Sequence, residues 1–337
     1  MRWDDGITAS FYVRYVNPSS WQDYQERLEI SSGSVSLTDS DLRGSANFEC
    51  SDFDQGRESY VRIYVDAHQD SGGTYHGPIF TGLACSPGYK FNGIFKSESV
   101  ECYSVLKPAK DALMPLGWYA AKGNNGAELV KDLLFRSTPA PVVIDGTSPT
   151  IVSNIIAEGN ESYLSMSEKI LDAINWRMRI ESDGEIKLCP KPETVTSVYD
   201  ENVNDILEME LSVTRDWFDC PNVLRANYED YSVVVKDDDP ESMFSTVSRG
   251  REIWAEESLE VSSSASIETR AKERLKELQM VQLILNYTRR YDPLVKPSDA
   301  VRIHYPKLGI DGVFVPTSQS ITLGQGLKVA EVAYLEG

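Results

Sequence analysis

The sequence predicts a mainly β protein, in which two related antiparallel β-barrel modules carry a discontinuous α+β domain set into the second. Three observations predict it. Strand-like segments recur later in the chain in the same order; short alternating apolar and polar runs are punctuated by Gly, Pro, Asn, Asp and Ser; and helical periodicity is confined to stretches outside the recurring segments.

The first echo sets SLTDSDLRGSANFE (Ser36 to Glu49) against SVTRDWFDCPNVLRANYE (Ser212 to Glu229). YVRIYV (Tyr60 to Val65) is answered by AVRIHY (Ala300 to Tyr305), GPIFTGLACS (Gly77 to Ser86) by DGVFVPTSQS (Asp311 to Ser320), and SVECYSVL (Ser99 to Leu106) by VAEVAYLE (Val329 to Glu336). Any one match is weak, because β-branched strands resemble one another; the shared order is what argues for a duplicated module. Strand alternation puts Val61, Ile63 and Val65 on one face with Arg62 and Tyr64 on the other. In the echo, Val301, Ile303 and Tyr305 oppose Arg302 and His304. Arg62 and Arg302 are thus expected at equivalent outward positions, and Glu101 matches Glu331 in the last strand. Arg62, Tyr64, Glu101, Arg302, His304 and Glu331 are the candidate interface or equivalent-strand positions.

Module A is expected over residues 1–106. Module B is expected in two pieces, 206–235 and 293–337, leaving 107–205 and 236–292 for one inserted α+β domain. Within the insert, Asn125, Glu128, Leu129, Val130, Leu133 and Leu134 mark a short amphipathic helix after a GNNG turn. Ser165 and Glu168 form an S-x-x-E capping box ahead of Met166, Ile170, Leu171, Ile174 and Met178. A tight turn at Asp183 and Gly184 leads into a strand. A third helix is expected from about Ser266 to Leu283, with Ala271, Leu275 and Leu278 on one face and Ser262 to Ser264 as its capping region.

The composition is that of an ordinary globular chain, 25% charged and 41% hydrophobic. A formal net charge of −19 argues against stable nucleic-acid binding, which needs clustered Lys and Arg to release counterions, and favours repulsion of polyanions. The opening MRWDDGITASFYVRYV has neither the basic flank nor the apolar run of a secretory signal, and no stretch approaches the roughly 18 apolar residues of a membrane span. Cys50, Cys85, Cys102, Cys189 and Cys220 are odd in number and lack metal or disulfide spacing, so they are expected as reduced thiols.

No reaction chemistry stands out, and the chain is expected to be non-enzymatic, without cofactor or metal. His68, His76 and His304 form no HExxH pattern: the first two fall in the Gly-rich hairpin DAHQDSGGTYHG, and His304 alternates outward on a strand. There is no GxSxG elbow, P-loop or dinucleotide fingerprint, and Gly324 and Gly326 make a turn without the helix a phosphate cradle needs. Asp237, Asp238 and Asp239 lack the glycine and spaced oxygens of a calcium loop and read as a solvated loop. With 52 Asp and Glu residues, carboxylate pairs arise by chance, so a glycosidase site stays open. Trp21, Trp118, Trp176, Trp217 and Trp254 show no stacking-platform spacing and are expected as core or interface anchors.

The split module, its insert, the segment SMSEKILDAINWRMRIESDGEIKL, the helix from Ser266 to Leu283 and the closing VRIHYPKLGIDGVFV together resemble the baseplate hub family of contractile phage tails, especially the compact hubs of prophage-derived tail particles. The likeness covers most of the chain and is one of order and texture; no single motif is diagnostic. It implies a homotrimer whose two barrels per subunit form a ring adapting a sixfold tail tube to a threefold central spike. The partners implied are tube protein, spike protein and other baseplate and tape-measure proteins, in a tail particle assembled in the bacterial cytoplasm. The family has no catalytic residues to carry over. Larger relatives are fused to a cell-wall hydrolase, and this sequence ends soon after the last echo, so none is expected here. The alternatives are a cell-wall or glycan hydrolase of a tail tip, and a surface carbohydrate-binding module.

Overall fold

The alternation in the first third of the chain closes into a barrel. The computed structural model describes residues 6–335 apart from 55, 93–94, 192–193, 201–211, 216–219, 229–230, 260–266 and 280–282. It begins with β1 (Ile7–Val16), β2 (Asp23–Thr38), β3 (Gly44–Cys50), β4 (Ser59–Gln69), β5 (Thr74–Asn92) and β6 (Phe95–Ser104). Antiparallel pairing runs β1-β2-β3-β6-β5-β4 and returns to β1, so these strands close on themselves. Val61, Ile63 and Val65 face the interior, fully buried, with Phe11, Val35 and Phe48.

The next segment is a separate α+β unit: α1 (Lys107–Asp111), β7 (Tyr119–Ala120), α2 (Gly126–Ser137), β8 (Val142–Ile144), β9 (Ile155–Ile156), α3 (Tyr163–Ala173), β10 (Trp176–Ile180) and β11 (Ile186–Pro190). Asn125 caps α2, its side chain accepting from Glu128 N at 3.1 Å. Helix α3 starts ahead of the expected capping box. Ser162 is the N-cap, Ser165 donates to Glu161 at 3.0 Å, and Glu168 reaches Arg43 of barrel A at 2.9 Å. Val130, Leu134, Met166 and Ile170 of the two helices pack with Trp176, Ile186 and Leu188 of the β8-β11-β10 sheet.

The remainder comprises β12 (Val195–Asp200), β13 (Ser212–Arg215), β14 (Val223–Tyr228), β15 (Tyr231–Lys236), α4 (Thr246–Arg249), β16 (Trp254–Ser258), α5 (Ile267–Gln279), β17 (Leu283–Arg290), β18 (Ala300–Tyr305), β19 (Ile310–Thr322) and β20 (Lys328–Leu335). The second module, labelled barrel B for its match to barrel A, pairs in the order β13-β17-β20-β19-β18-β12, antiparallel except that β12 runs parallel to β18, and among the described residues no pairing joins β12 to β13.

These pairings correct the expected boundaries. Among the described residues the inserted segments 107–205 and 236–292 do not share one core: residues 105–188 bury one cluster, and Leu224, Ala226, Val235, Ile267, Ala271 and Leu275 bury another. Strands β14 and β15, expected in the 206–235 piece of module B, instead flank one another beside β16. The reason is the apolar stripe Ile267, Ala271, Leu275 on α5, which needs a sheet face and finds it on β14 and β15. Conversely β12 and β17, expected in the insert, belong to barrel B. The third helix ends at Gln279, so Leu283 opens a strand. Ser262 to Ser264, Ser266, Trp217 and the segment 206–211 lie outside the described residues.

The duplication is visible in a shared irregularity. Register shifts between Ala84 and Ser86 in β5 and between Pro316 and Ser318 in β19, each opposite the last strand of its module. Counting from that bulge, β4, β5, β6 and β3 correspond to β18, β19, β20 and β17, and Ser34–Leu37 of β2 to Ser212–Arg215 of β13. The counterpart of GSANFEC is therefore LILNYTRR, rather than the segment around Val223. Arg62 and Arg302 fall at the same step, but Glu331 corresponds to Val100 and Glu101 to Val332. The sequence match was one residue out, and a one-residue slip transfers a side chain to the other face.

Candidate assembly interface

The two barrels are joined by strand pairing. Strand β2 pairs with β1 only as far as Glu29; beyond it, Ser34–Leu37 has β3 on one edge and β19 on the other. The β19 register runs from Thr38 opposite Ser318 to Ser34 opposite Thr322. Strand β19 can accept β2 because β18 stops at Phe314, leaving that edge of its second half open. The seam is also apolar: Ile321, Leu323, Leu327 and Val329 of barrel B are buried in the same cluster as Val35, Phe48 and Val61 of barrel A.

The β10–β11 hairpin is wedged against both barrels. Its turn is tight because Gly184 takes φ +84°, and a Cβ there would meet Thr81 Cγ2 and Trp21 Cζ2, each at 2.8 Å. The Asp183 carbonyl accepts from Trp21 Nε1 at 3.0 Å and Arg62 Nη2 at 2.8 Å, and the Ser182 carbonyl accepts from Thr81 Oγ1 at 2.9 Å. On the barrel B side, Asp299 is fully buried and accepts from Arg177 Nη2 at 2.9 Å, Arg179 Nη1 at 2.7 Å and Lys296 N at 2.9 Å. Lys296 donates to Ser182 Oγ; burial of its ammonium pulls its pKa down from 10.5 to about 8.

The structure disperses the six candidate positions. Arg62 points outward from barrel A as expected but is only 7% exposed, because the hairpin covers it; it pairs with Asp23 at 2.6 Å. Tyr64 is half-buried, donates to Asp23 Oδ2 at 2.5 Å and stacks on Tyr12 with centroids 5.2 Å apart. Arg302, at the equivalent step in barrel B, is exposed and pairs with Asp311 at 2.8 Å, which also faces His304 Nδ1 at 3.3 Å. Glu101 is exposed on β6. Glu331 is buried in barrel B, where it accepts from Arg289 Nε at 2.8 Å and Gln319 Nε2 at 2.7 Å. Burial opposes the Arg289 charge, but the Glu331 carboxylate outweighs it and raises the guanidinium pKa. Arg62, though it points outward from its barrel, and Glu331 are therefore both buried.

Arg177, Arg179, Lys296 and Asp299 were missed in sequence, whereas Trp21 was expected as a core or interface anchor. Arg177 and Arg179 carried a signal, two charges alternating with Trp176 and Met178 on one strand. Of the described tryptophans, Trp176 is core, Trp21 and Trp118 pack against the α+β core, and Trp254 has Arg225 and Lys236 over its ring at 5.6 and 5.9 Å. Among the described residues, no three His, Cys, Asp or Glu side chains gather as a metal site.

No family model and no curated protein matches the chain. Solved structures do. A tail protein from Neisseria meningitidis MC58 superposes at TM-score 0.69 with 15% identity, covering 98% of this chain and 97% of its own. The chain has the fold of phage tail proteins. The 43 kDa tail protein of prophage MuSo2 from Shewanella oneidensis gives TM-score 0.67 at 11% identity, over 98% of each chain. A prophage tail protein from Listeria monocytogenes EGD-e gives 0.56 at 12% identity, over 97% of this chain and 94% of that one. The tail-protein fold thus includes the inserted units as well as the two barrels.

Proposed function

We propose that this chain is the structural hub of a phage-type tail baseplate, a homotrimer whose six barrels adapt a sixfold tube to a threefold spike. The observation that carries the reading is the pair of bulge-matched modules joined edge to edge within one chain, in a fold shared end to end with tail proteins, one of them from a prophage. Three copies of such a chain present one module six times, which is the geometry a sixfold neighbour requires, while the α+β units repeat only three times. Its work is scaffolding and not catalysis, in a tail particle assembled in the cytoplasm. Tube protein, spike protein and other baseplate and tape-measure proteins are its partners.

Mass photometry of the purified chain, followed by image averaging of the particles, tests this. A trimer with a six-lobed ring is expected, and it should persist on dilution, since obligate interfaces bury roughly 2,000 Å² or more. A stable monomer, alone and with tube protein, would end the reading. Muropeptide release by the pure chain, abolished by one carboxylate substitution, would move it to the hydrolase alternative.

A further inference from the structure

The pairing that joins barrel A to barrel B has an unfilled counterpart. Barrel A uses β2 as the donor edge and barrel B uses β19 as the acceptor edge. By the bulge-anchored count, the second donor is β13 and the second acceptor is the last part of β5. Among the described residues both edges are open. Strand β4 stops opposite Ala84, so residues 86–92 of β5 have β6 on one side and no described strand on the other. Strand β13 pairs with β17, and no described strand lies beyond it.

Placement and burial agree with a missing neighbour. In the closed order of barrel A, β2 and β5 lie on opposite sides, three strands apart; in barrel B, β13 and β19 are likewise three strands apart. Each module therefore has both an acceptor edge and a donor edge, and a head-to-tail contact of this kind forms a ring where the rotation between copies closes. Leu323, five residues past Ser318, is 4% exposed because barrel A covers it, whereas Phe91, five residues past Ser86, is 68% exposed.

We infer that β13 of one copy pairs antiparallel with residues 86–92 of β5 in the next copy, repeating the intrachain β2–β19 seam. Transferring the observed register sets Ser212 opposite Lys90, Val213 opposite Tyr89 and Thr214 opposite Gly88. The occupant of each free edge is a second copy of this chain. The inference rests on the trimer reading and specifies its joint, and it removes two exposed edges that would otherwise invite uncontrolled pairing.

The test is oxidative cross-linking of the full chain carrying Thr214→Cys with Gly88→Cys, or Val213→Cys with Tyr89→Cys. A side chain fits at Gly88, where the nearest atom to a Cβ is the Ser99 carbonyl at 3.8 Å. Adjacent antiparallel pairs alternate between close and wide geometry, so one of the two pairs has the shorter spacing. Covalent dimers and trimers are expected on non-reducing gels from the double variants and not from the singles. Phe91→Ser is expected to weaken the trimer at least tenfold and leave monomer melting unchanged. In the assembled wild type, consecutive amides along 88–90 should resist hydrogen exchange; protection of alternate ones only would overturn the pairing. A wild-type trimer in which neither pair cross-links overturns the joint while leaving the hub standing. A wild-type monomer overturns both.

Discussion

Barrel B holds an ion pair at positions where barrel A is apolar, and this difference can be turned into a measurement. Arg289 and Glu331 correspond by register to Cys50 and Val100. Their side chains are 2% and 0% exposed and the closest approach is 2.5 Å. Glu331→Val strands a guanidinium in the barrel and costs about 3–5 kcal/mol; Gln319 also loses an acceptor, worth about 1 kcal/mol more. Arg289→Met strands the carboxylate at a similar cost. The double variant copies the apolar character of barrel A and should lie within about 1 kcal/mol of wild type, or exceed it by up to about 4 kcal/mol. Urea unfolding at fixed protein concentration reads this directly: with a slope of roughly 3 kcal/mol/M, each single variant moves the midpoint down by about 1–2 M and the double restores it. A double variant as unstable as the sum of the singles would show that the pair is not coupled, and the reasoning would fail.

Three other outcomes are expected. Lys296 sheds its proton near pH 8 in the folded chain but only near 10.5 when unfolded, so its burial penalty is full below about pH 8 and lifts above it; stability should rise by about 1.4 kcal/mol per pH unit there. Urea midpoints at pH 7 and 9 should show that rise in wild type and lose it in Lys296→Met; an unchanged slope in the variant would count against the assignment. Gly184→Ala should cost roughly 2–4 kcal/mol, from left-handed backbone strain plus the clash with Thr81 and Trp21, and should hasten proteolysis between barrel A and the α+β unit. Arg62→Met should cost roughly 2–4 kcal/mol and Arg302→Met under about 1 kcal/mol, because one pair is covered and the other solvated; equal effects by thermal melting would refute the contrast.

What was legible in the sequence was whatever depends on local period. Val61, Ile63 and Val65 announced an inward face, and Asn125 with the run to Leu134 announced α2, because alternation and helical spacing are properties of neighbours along the chain. The order of the repeated strands was legible for the same reason. Partner choice was not. Val223 to Tyr228 has the pattern of a barrel strand, and only the competing demand of α5 for an apolar sheet face diverts it. Glu331 was matched to Glu101 although its counterpart is Val100, because a period of two cannot detect a one-residue slip without the bulge that sets the count. The hairpin wedge joins residues as distant as Trp21, Asp183 and Lys296, and nothing local in any of them names the others.

The closure of barrel A also sets an order of events. Its six strands are consecutive and end at Ser104, so the barrel can form while most of the chain is still being synthesised. Barrel B has no such freedom: β12 and β13 precede β14 to α5, and the strands that pair with them begin only at Leu283. Its contacts span long loops and form late. By then barrel A already holds Ser34 to Thr38 in strand geometry against β3, and arriving β19 meets a prepared edge rather than a disordered one. The first module is therefore placed to nucleate the second, and in the proposed ring β13 of each finished subunit would offer the same templating edge to the next copy.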